Sequence, residues 1–287
     1  IASRRLRPVE VLVMDLSFFP EPHLIPLAAL SLYLLYGGIL YSFGGAHGRE
    51  RAYAVWHSGL IGAALYAGAL VLGYALGAVI NYYVSVSGVA PNCLSHFQPA
   101  ALDKIHDAAA NAMQCAVRVY WRHYDAIASS YGWIFGVSAL TGILVITGPY
   151  SMGLFQAAMP FSAAATSALV ALGAAMAACV LTLGFALLLP LGAIMVASER
   201  TRNLGAAILG AGVAMPPVLA GGADALSRVS TVFIWPHQYI LFGELAKVTG
   251  HVALIAGIVA MTLLVASAAA YAISRVFDHA GAHIAVE

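Results

Sequence analysis

Long runs of apolar residues, rather than an alternation of apolar and polar positions, dominate this chain. An α-helix needs roughly 20 apolar residues to cross the hydrocarbon core of a bilayer. Several of the runs reach or exceed that length, so the pattern predicts a membrane protein with several crossings. Stretches without Asp, Glu, Lys or Arg cover residues 22–48, 52–102, 126–198, 203–223, 229–243 and 248–274.

Prolines, glycines and charged residues divide these runs into about six transmembrane helices. We therefore expect an all-α fold, a polytopic transmembrane helical bundle that forms a single transmembrane domain over residues 1–287. A short re-entrant or interfacial elbow is expected at 150–159, closed by Pro160, and the fifth crossing is short because prolines interrupt it. The six predicted crossings are 24–43, 55–84, 126–147, 161–189, 204–219 and 245–274.

Two polar segments are predicted to lie at the membrane surface. Residues 1–21 mix arginines and carboxylates with Leu, Val and Phe, which is typical of an amphipathic interfacial helix or of a basic flank to the first crossing. Residues 85–130 form a polar insertion, and within it residues 100–125 are expected to form an amphipathic helix. This helix is acidic at its start and basic at its end, which complements the helix dipole.

Composition excludes several classes of protein. The chain is 62% hydrophobic and 9% charged, whereas soluble domains carry about 25% charged residues. The net charge of +1 creates no field that would recruit nucleic acid or anionic partners. The sequence lacks GxxxxGK[ST], GxSxG and HExxH motifs, and no carboxylate lies in the middle of a predicted crossing. These features disfavour an enzyme and a proton-driven transporter, and they indicate no cofactor and no metal.

Cys93 and Cys115 lie on either side of the start of the predicted mid-chain helix. Their spacing matches no metal-binding motif. A helix beginning near Ala100 would place Cys115 about 22 Å along its axis, so a disulfide requires a later helix start or a loop that doubles back. The predicted orientation of the chain in the membrane depends on whether this disulfide forms. The excess of Lys and Arg places both termini in the cytoplasm, whereas the disulfide favours the reverse.

Two pairs of arginines are candidates for contact with a partner or with phosphate. Arg118 and Arg122 share one helix face and are interleaved with aromatic residues, while Arg200 and Arg202 lie in a charged turn. Basic and aromatic side chains together suit a polymer or a lipid headgroup, but the same residues serve as ordinary interfacial anchors.

Two glycine pairs have the GxxxG spacing that allows helices to approach closely. Gly73 and Gly77 lie in the second predicted crossing, and Gly132 and Gly136 lie in the third. We expect both pairs to mediate helix packing.

One segment resembles a known family. Residues 187–219 read LLLPLGAIMVASERTRNLGAAILGAGVAMPPVL. An apolar helix ending in Pro-Leu-Gly is followed by Arg-Thr-Arg, and a second apolar helix ends at prolines. This pattern resembles the polytopic channel component of conjugative type IV secretion systems, the TrbL-like family. It is also similar to that family's archaeal relatives, which include the crenarchaeal Ced DNA-import membrane protein.

The resemblance implies a multi-pass subunit of the cell (plasma) membrane that acts as conduit or scaffold in DNA transfer or pilus assembly. The implied partners are a secretion-type ATPase, small pilin-like subunits, membrane lipids and DNA in transit, within an oligomer or complex. Two other functions stay open. One is the membrane anchor of a respiratory complex, with haem b held by two of His57, His123, His237 and His251; the other is a small-solute permease.

Overall fold

Helices make up the whole of the regular structure that the computed structural model describes. The described residues are 24–88, 92–97, 105–143, 148–197, 200–230 and 242–286, and they contain no strand. The all-helical prediction is therefore confirmed for these residues, while the predicted interfacial segment, residues 1–21, lies outside them. The helices are α1 (Leu24–Phe43), α2 (Gly45–Val86), a 3₁₀ helix (Leu94–Phe97), α3 (Ile105–Ile143), α4 (Gly148–Ala197), α5 (Arg202–Ser227) and α6 (Phe242–Val286).

Four of these helices contain stretches that are long and apolar enough to cross a membrane. They lie in α2, α4, α5 and α6 and correspond to four of the six predicted crossings. In the described part of the chain, α1 offers only the shorter stretch Ser31–Phe43, and α3 offers none that qualifies. A helical membrane protein with four candidate spans is thus supported. The four stretches are Gly45–Val86, Ala158–Leu183, Arg202–Ser227 and Leu245–Ala280.

The helix of the polar insertion and the third predicted crossing are one continuous helix. Helix α3 begins at Ile105 and runs without a break to Ile143. The predicted boundary near residue 125 is wrong because residues 105–131 contain neither proline nor glycine, and nothing else there interrupts the backbone hydrogen bonds.

Prolines do not end helices where the sequence predicted that they would. Helix α4 passes through Pro160 and Pro190, so the elbow expected at 150–159 is wrong. Helix α5 passes through Pro216 and Pro217 and continues to Ser227, so the fifth element is longer than expected. A proline inside a helix removes one hydrogen bond, and close packing against neighbouring helices compensates for it in membrane proteins.

Helix α5 is the centre of the bundle. Seventeen of its 26 residues are buried, against seven of the 42 residues of α2. Most of the buried residues of α2 are glycine or alanine, while large side chains such as Leu60 and Val71 point outwards. This distribution suits a lipid environment, because lipid tails accept large apolar side chains and small residues allow close helix contact.

Contacts along α5 fix the directions of its neighbours. Helices α4 and α6 run antiparallel to α5, and α2 runs parallel to it. At a rise of about 1.5 Å per residue, the 26 residues of α5 span about 39 Å. We call its two ends the Arg202 end and the Arg228 end. The neighbouring pairs are Gly205 with Gly192, Gly210 with Ser274, Gly222 with Thr262, Gly73 with Val213 and Gly221 with Ile80.

Candidate functional site

The two predicted arginine pairs lie at opposite ends of α5. Arg200 and Arg202 stand where α5 begins. Arg118 and Arg122 are on α3, at the level where α5 ends, because His123 beside them reaches Val229. The length of α5 therefore separates the pairs by roughly 35–40 Å, and the four arginines cannot act as one site.

At the Arg228 end, α3 is held against α5 by two buried side chains. The Tyr120 hydroxyl donates a hydrogen bond of 2.8 Å to the carbonyl oxygen of Leu219. The ring nitrogens of His123 lie 2.9 Å from the Val119 carbonyl oxygen and 3.3 Å from that of Val229. These contacts turn the opposite face of α3, which carries Arg118 and Arg122, outwards.

Exposed cations and partly buried aromatic rings share the outer part of α3. Arg118 and Arg122 are exposed, and the rings of Trp121 and Tyr124 stack with centroids 5.6 Å apart and planes 17° apart. Among the described residues, neither arginine forms an ion pair with a carboxylate. Both guanidinium groups are thus accessible to an anion.

The turn at the Arg202 end is tight, and it positions its two arginines differently. The Thr201 hydroxyl donates to the Met195 carbonyl oxygen at 2.9 Å, and a Cβ at Gly205 would lie 2.5 Å from the Gly192 carbonyl oxygen. Arg200 is exposed, whereas Arg202 is partly buried and its Nε has no hydrogen-bond partner among the described residues. A buried donor without a partner is rare in folded proteins. Glu199, at the start of the predicted turn, lies outside the described residues.

Cys93 and Cys115 form a disulfide with a Cα–Cα distance of 5.3 Å. Helix α3 begins at Ile105, so Cys115 lies only about 15 Å along its axis. The chain before α3 also turns back along α2, because Phe97 lies against Gly77, where an added Cβ would come within 3.3 Å of the Phe97 side chain. The later helix start and the loop that doubles back, either of which the sequence required for a disulfide, are therefore both present.

Asp224 is the polar residue of this region that sequence reasoning missed. Its side chain is fully buried, and its two carboxylate oxygens accept the backbone N–H groups of Cys93 and Leu94 at 2.7 and 3.0 Å. The carboxylate caps the start of the 3₁₀ helix, an arrangement that satisfies donors which otherwise lack partners. The sequence feature that marks Asp224 is its position directly after the charge-free run 203–223.

The predicted glycine pairs divide into one that packs and one that has no neighbour among the described residues. A Cβ at Gly73 would make ordinary contact with Val213, and one at Gly77 would press on the Phe97 ring. A Cβ at Gly132 or Gly136 would have no described atom within 4 Å.

Glycines of α5, which do not have the GxxxG spacing, also make close helix contacts. A Cβ at Gly210 would collide with the backbone of α6 at Ala270 and Ser274, and one at Gly222 would collide with the Thr262 side chain. The sequence feature that indicates these contacts is the high glycine content of α5 as a whole, not a fixed spacing. A helix that packs on all sides needs small residues on more than one face.

The histidines considered as haem ligands are not brought together as a cluster in the described residues. His123 lies buried with both ring nitrogens close to carbonyl oxygens, so it contributes to the packing of α3 on α5. His57 and His251 are exposed, and His237 lies outside the described residues. Within the described ranges, no group of three or more His, Cys, Asp or Glu side chains is arranged to hold a metal ion.

Comparison of the chain with models of protein families, with curated proteins and with solved structures finds no match in any of the three.

Proposed function

We propose that this chain is a non-enzymatic, multi-spanning subunit of the plasma membrane that serves as scaffold or conduit in a DNA-transfer or pilus-assembly machine. In this proposal the chain crosses the membrane about six times, and the four candidate spans supply four of these crossings. It works with a secretion-type ATPase and pilin-like subunits, which supply the energy and the moving parts.

The observation that carries the proposal is the hairpin formed by the end of α4 and α5. The segment that resembles the conjugation channel component, residues 187–219, builds this hairpin, and α5 is the most buried long helix of the described bundle. Glycines at 192, 205 and 210 bring the backbones of α4, α5 and α6 into contact. A rigid, tightly packed centre is what a membrane scaffold needs in order to hold partner subunits in fixed positions.

The outer surface of the bundle supports assembly with other subunits. Helices α1 and α2 expose many large apolar side chains, among them Leu32, Phe43 and Leu60. Part of such a surface faces lipid. Gly132 and Gly136 add an exposed small-residue strip on α3 that has no described neighbour within 4 Å. Small exposed residues on a membrane helix allow another helix to approach closely.

Arg200 and Arg202 are the residues at which the proposal is most directly tested. Arg200 is exposed, so it can contact an acidic partner or a phosphate, and the partly buried Arg202 lies two residues further along, at the start of α5. The test measures the frequency of DNA transfer between cells in which the double variant Arg200→Ala with Arg202→Ala replaces the native chain. We expect transfer to fall about tenfold or more, since charge-assisted contacts contribute about 1.5–3 kcal/mol each.

Arg275→Ala is the matched control. This arginine lies on α6 near the same end of the bundle, and its guanidinium is engaged by the Tyr271 hydroxyl and ring of its own helix. Membrane abundance of each variant is measured on the same cells. Deletion of the whole chain with unchanged DNA transfer would contradict the proposed function. Unchanged transfer in the double variant alone would remove these two arginines from the mechanism.

A further inference from the structure

A polar pocket lies between α3 and the loop that carries the 3₁₀ helix, at the Arg228 end of the molecule. Its volume is about 350 Å³, which is enough for a small polar group such as a phosphate ester. It is separate from the Arg202 turn, and it includes one of the predicted arginines, Arg118. Its polar lining comes from Asn92, His96, Asn111, Gln114 and Arg118, beside Cys115.

The walls of this pocket are fixed in place by covalent and buried contacts. The disulfide joins its two sides, Cys93 on the loop and Cys115 on α3. The Asp224 carboxylate holds the loop backbone at Cys93 and Leu94, and the side chains of Leu94 and Phe97 anchor the 3₁₀ helix in the apolar core. A binding site whose walls are rigid before the ligand arrives loses less conformational entropy on binding.

The electrostatics of the pocket favour an anion. Arg118 supplies a permanent positive charge and His96 a ring donor, while three side-chain amides supply neutral donors. No carboxylate of a described residue lines the pocket. The nearest buried carboxylate, Asp224, is occupied by two N–H groups. Two further carboxylates lie on α3: Asp107, one turn before Asn111, and Asp125, two turns after Arg118. Both are exposed to solvent.

We propose that this pocket binds a phosphate group, carried either by an anionic lipid headgroup or by a free phosphate compound, with Arg118 as the charged contact. The amides of Asn111 and Gln114 donate hydrogen bonds to the phosphate oxygens. Planar guanidinium groups pair well with phosphate. The proposal does not depend on a role in DNA transfer.

The test uses the full chain purified in detergent. Native mass spectrometry measures binding of phosphatidylglycerol, with phosphatidylcholine for comparison, and equilibrium dialysis measures binding of radiolabelled inorganic phosphate and glycerol 3-phosphate. We expect Arg118→Ala to weaken binding about tenfold or more. Asn111→Asp keeps the size of the side chain but brings a negative charge into the pocket, and it should weaken binding at least as much.

Two control variants separate a pocket effect from a general charge effect. Arg122→Ala removes a charge one turn further along α3, at a residue that does not line the pocket. Arg275→Ala removes a charge towards the opposite end of the bundle, where Tyr271 of the same helix engages the guanidinium. Both should bind like the unmodified chain to within about threefold. Formation of the Cys93–Cys115 disulfide, measured by thiol titration, shows that each variant is folded at this end.

The outcomes are distinct. Arg118-dependent binding of phosphatidylglycerol assigns the pocket to a lipid headgroup, and Arg118-dependent binding of phosphate or glycerol 3-phosphate alone assigns it to a soluble compound. Equal binding by the unmodified chain and Arg118→Ala overturns the proposal, as does an equal loss in Arg275→Ala. Binding of a single-stranded oligonucleotide that depends on Arg118, with no binding of lipid or phosphate, overturns it in favour of nucleic acid.

Discussion

Asp224 shows how a single buried charge can organise a loop in this molecule. Its carboxylate has no solvent exposure, and both of its oxygens accept backbone N–H groups from a segment about 130 positions earlier in the chain. A buried charge is tolerated only when hydrogen bonds replace its water. The same bonds fix the backbone next to Cys93 and so hold it within reach of Cys115.

Replacing Asp224 should therefore destabilise the Arg228 end. Asp224→Asn leaves one acceptor oxygen where two N–H groups need one each, so we expect the free energy of unfolding to fall by about 2 kcal/mol. That loss corresponds to a thermal midpoint lower by roughly 5 °C, measured by tryptophan fluorescence in detergent. The control is Asp125→Asn, which changes an exposed carboxylate on α3 and should leave the midpoint unchanged. Equal midpoints for the two variants would rule out a capping role for Asp224.

At the scale of elements, α5 is distinguished by backbone contact with its neighbours. Glycines let its backbone touch α4 at one end and α6 along its length. Close backbone approach increases van der Waals contact, which drives helix association where no water is available to drive it. Helix α2 makes looser contact, since a Cβ at Gly73 would lie 3.8 Å from the Val213 carbonyl oxygen.

Alanine substitutions should separate these two kinds of helix contact. Gly210→Ala places a methyl group against the backbone of α6, 2.7 Å from the Ser274 nitrogen, and forces the helices apart. Overpacking of this kind costs about 1–3 kcal/mol, so we expect lower yield of folded protein and a lower thermal midpoint. Gly73→Ala and Gly132→Ala should match the unmodified chain, because their new methyl groups meet only ordinary contact or open space. A Gly210→Ala variant as stable as Gly73→Ala would contradict the packing of α5 described above.

At the scale of the whole molecule, the charged groups divide between the two ends of α5. Arg200 and Arg202 lie at one end, and Arg118, Arg122 and Arg228 lie at the other. The predicted crossings place Arg118 and Arg122 on the same side of the membrane as Arg200 and Arg202, because two crossings, 126–147 and 161–189, separate the two pairs along the chain. That assignment assumed that α3 crosses the membrane only after residue 126, whereas α3 already packs against α5 at Tyr120.

This arrangement predicts which end faces outwards. Disulfides persist in oxidising compartments, so we expect the Arg228 end, which carries the Cys93–Cys115 bridge, to face away from the cytoplasm. The measurement uses single exposed cysteines in a Cys179→Ala background. A membrane-impermeant maleimide applied to intact cells should label Arg122→Cys and leave Arg200→Cys unlabelled until the cells are opened. Labelling of both in intact cells would mean that these residues do not lie on opposite sides of a membrane, and labelling of Arg200→Cys alone would reverse the orientation.

Local sequence was enough for the class of the protein and for the position of several helices. The length of an uncharged run and the hydropathy of its residues are local properties, and they decide whether a segment can lie in a bilayer. For this reason the predicted bounds of the first helix, Leu24–Phe43, coincide with those of α1. Prolines misled the prediction at residue 160 and at residues 216 and 217. Their local tendency to break a helix was offset by packing that a single segment does not reveal.

The pairing of distant residues, by contrast, was decided only by the tertiary structure. The bridge between Cys93 and Cys115 depended on where α3 begins and how the preceding loop folds back. The contact of Asp224 with Cys93, the collision-free fit of Gly210 against α6 and the separation of the two arginine pairs all depend on which helices are neighbours and in which direction they run. Runs of similar apolar residues carry little information about partner choice, because any apolar helix can pack against another or against lipid. The sequence therefore determined that this is a helical membrane protein, and the packing around α5 determined where its polar groups meet.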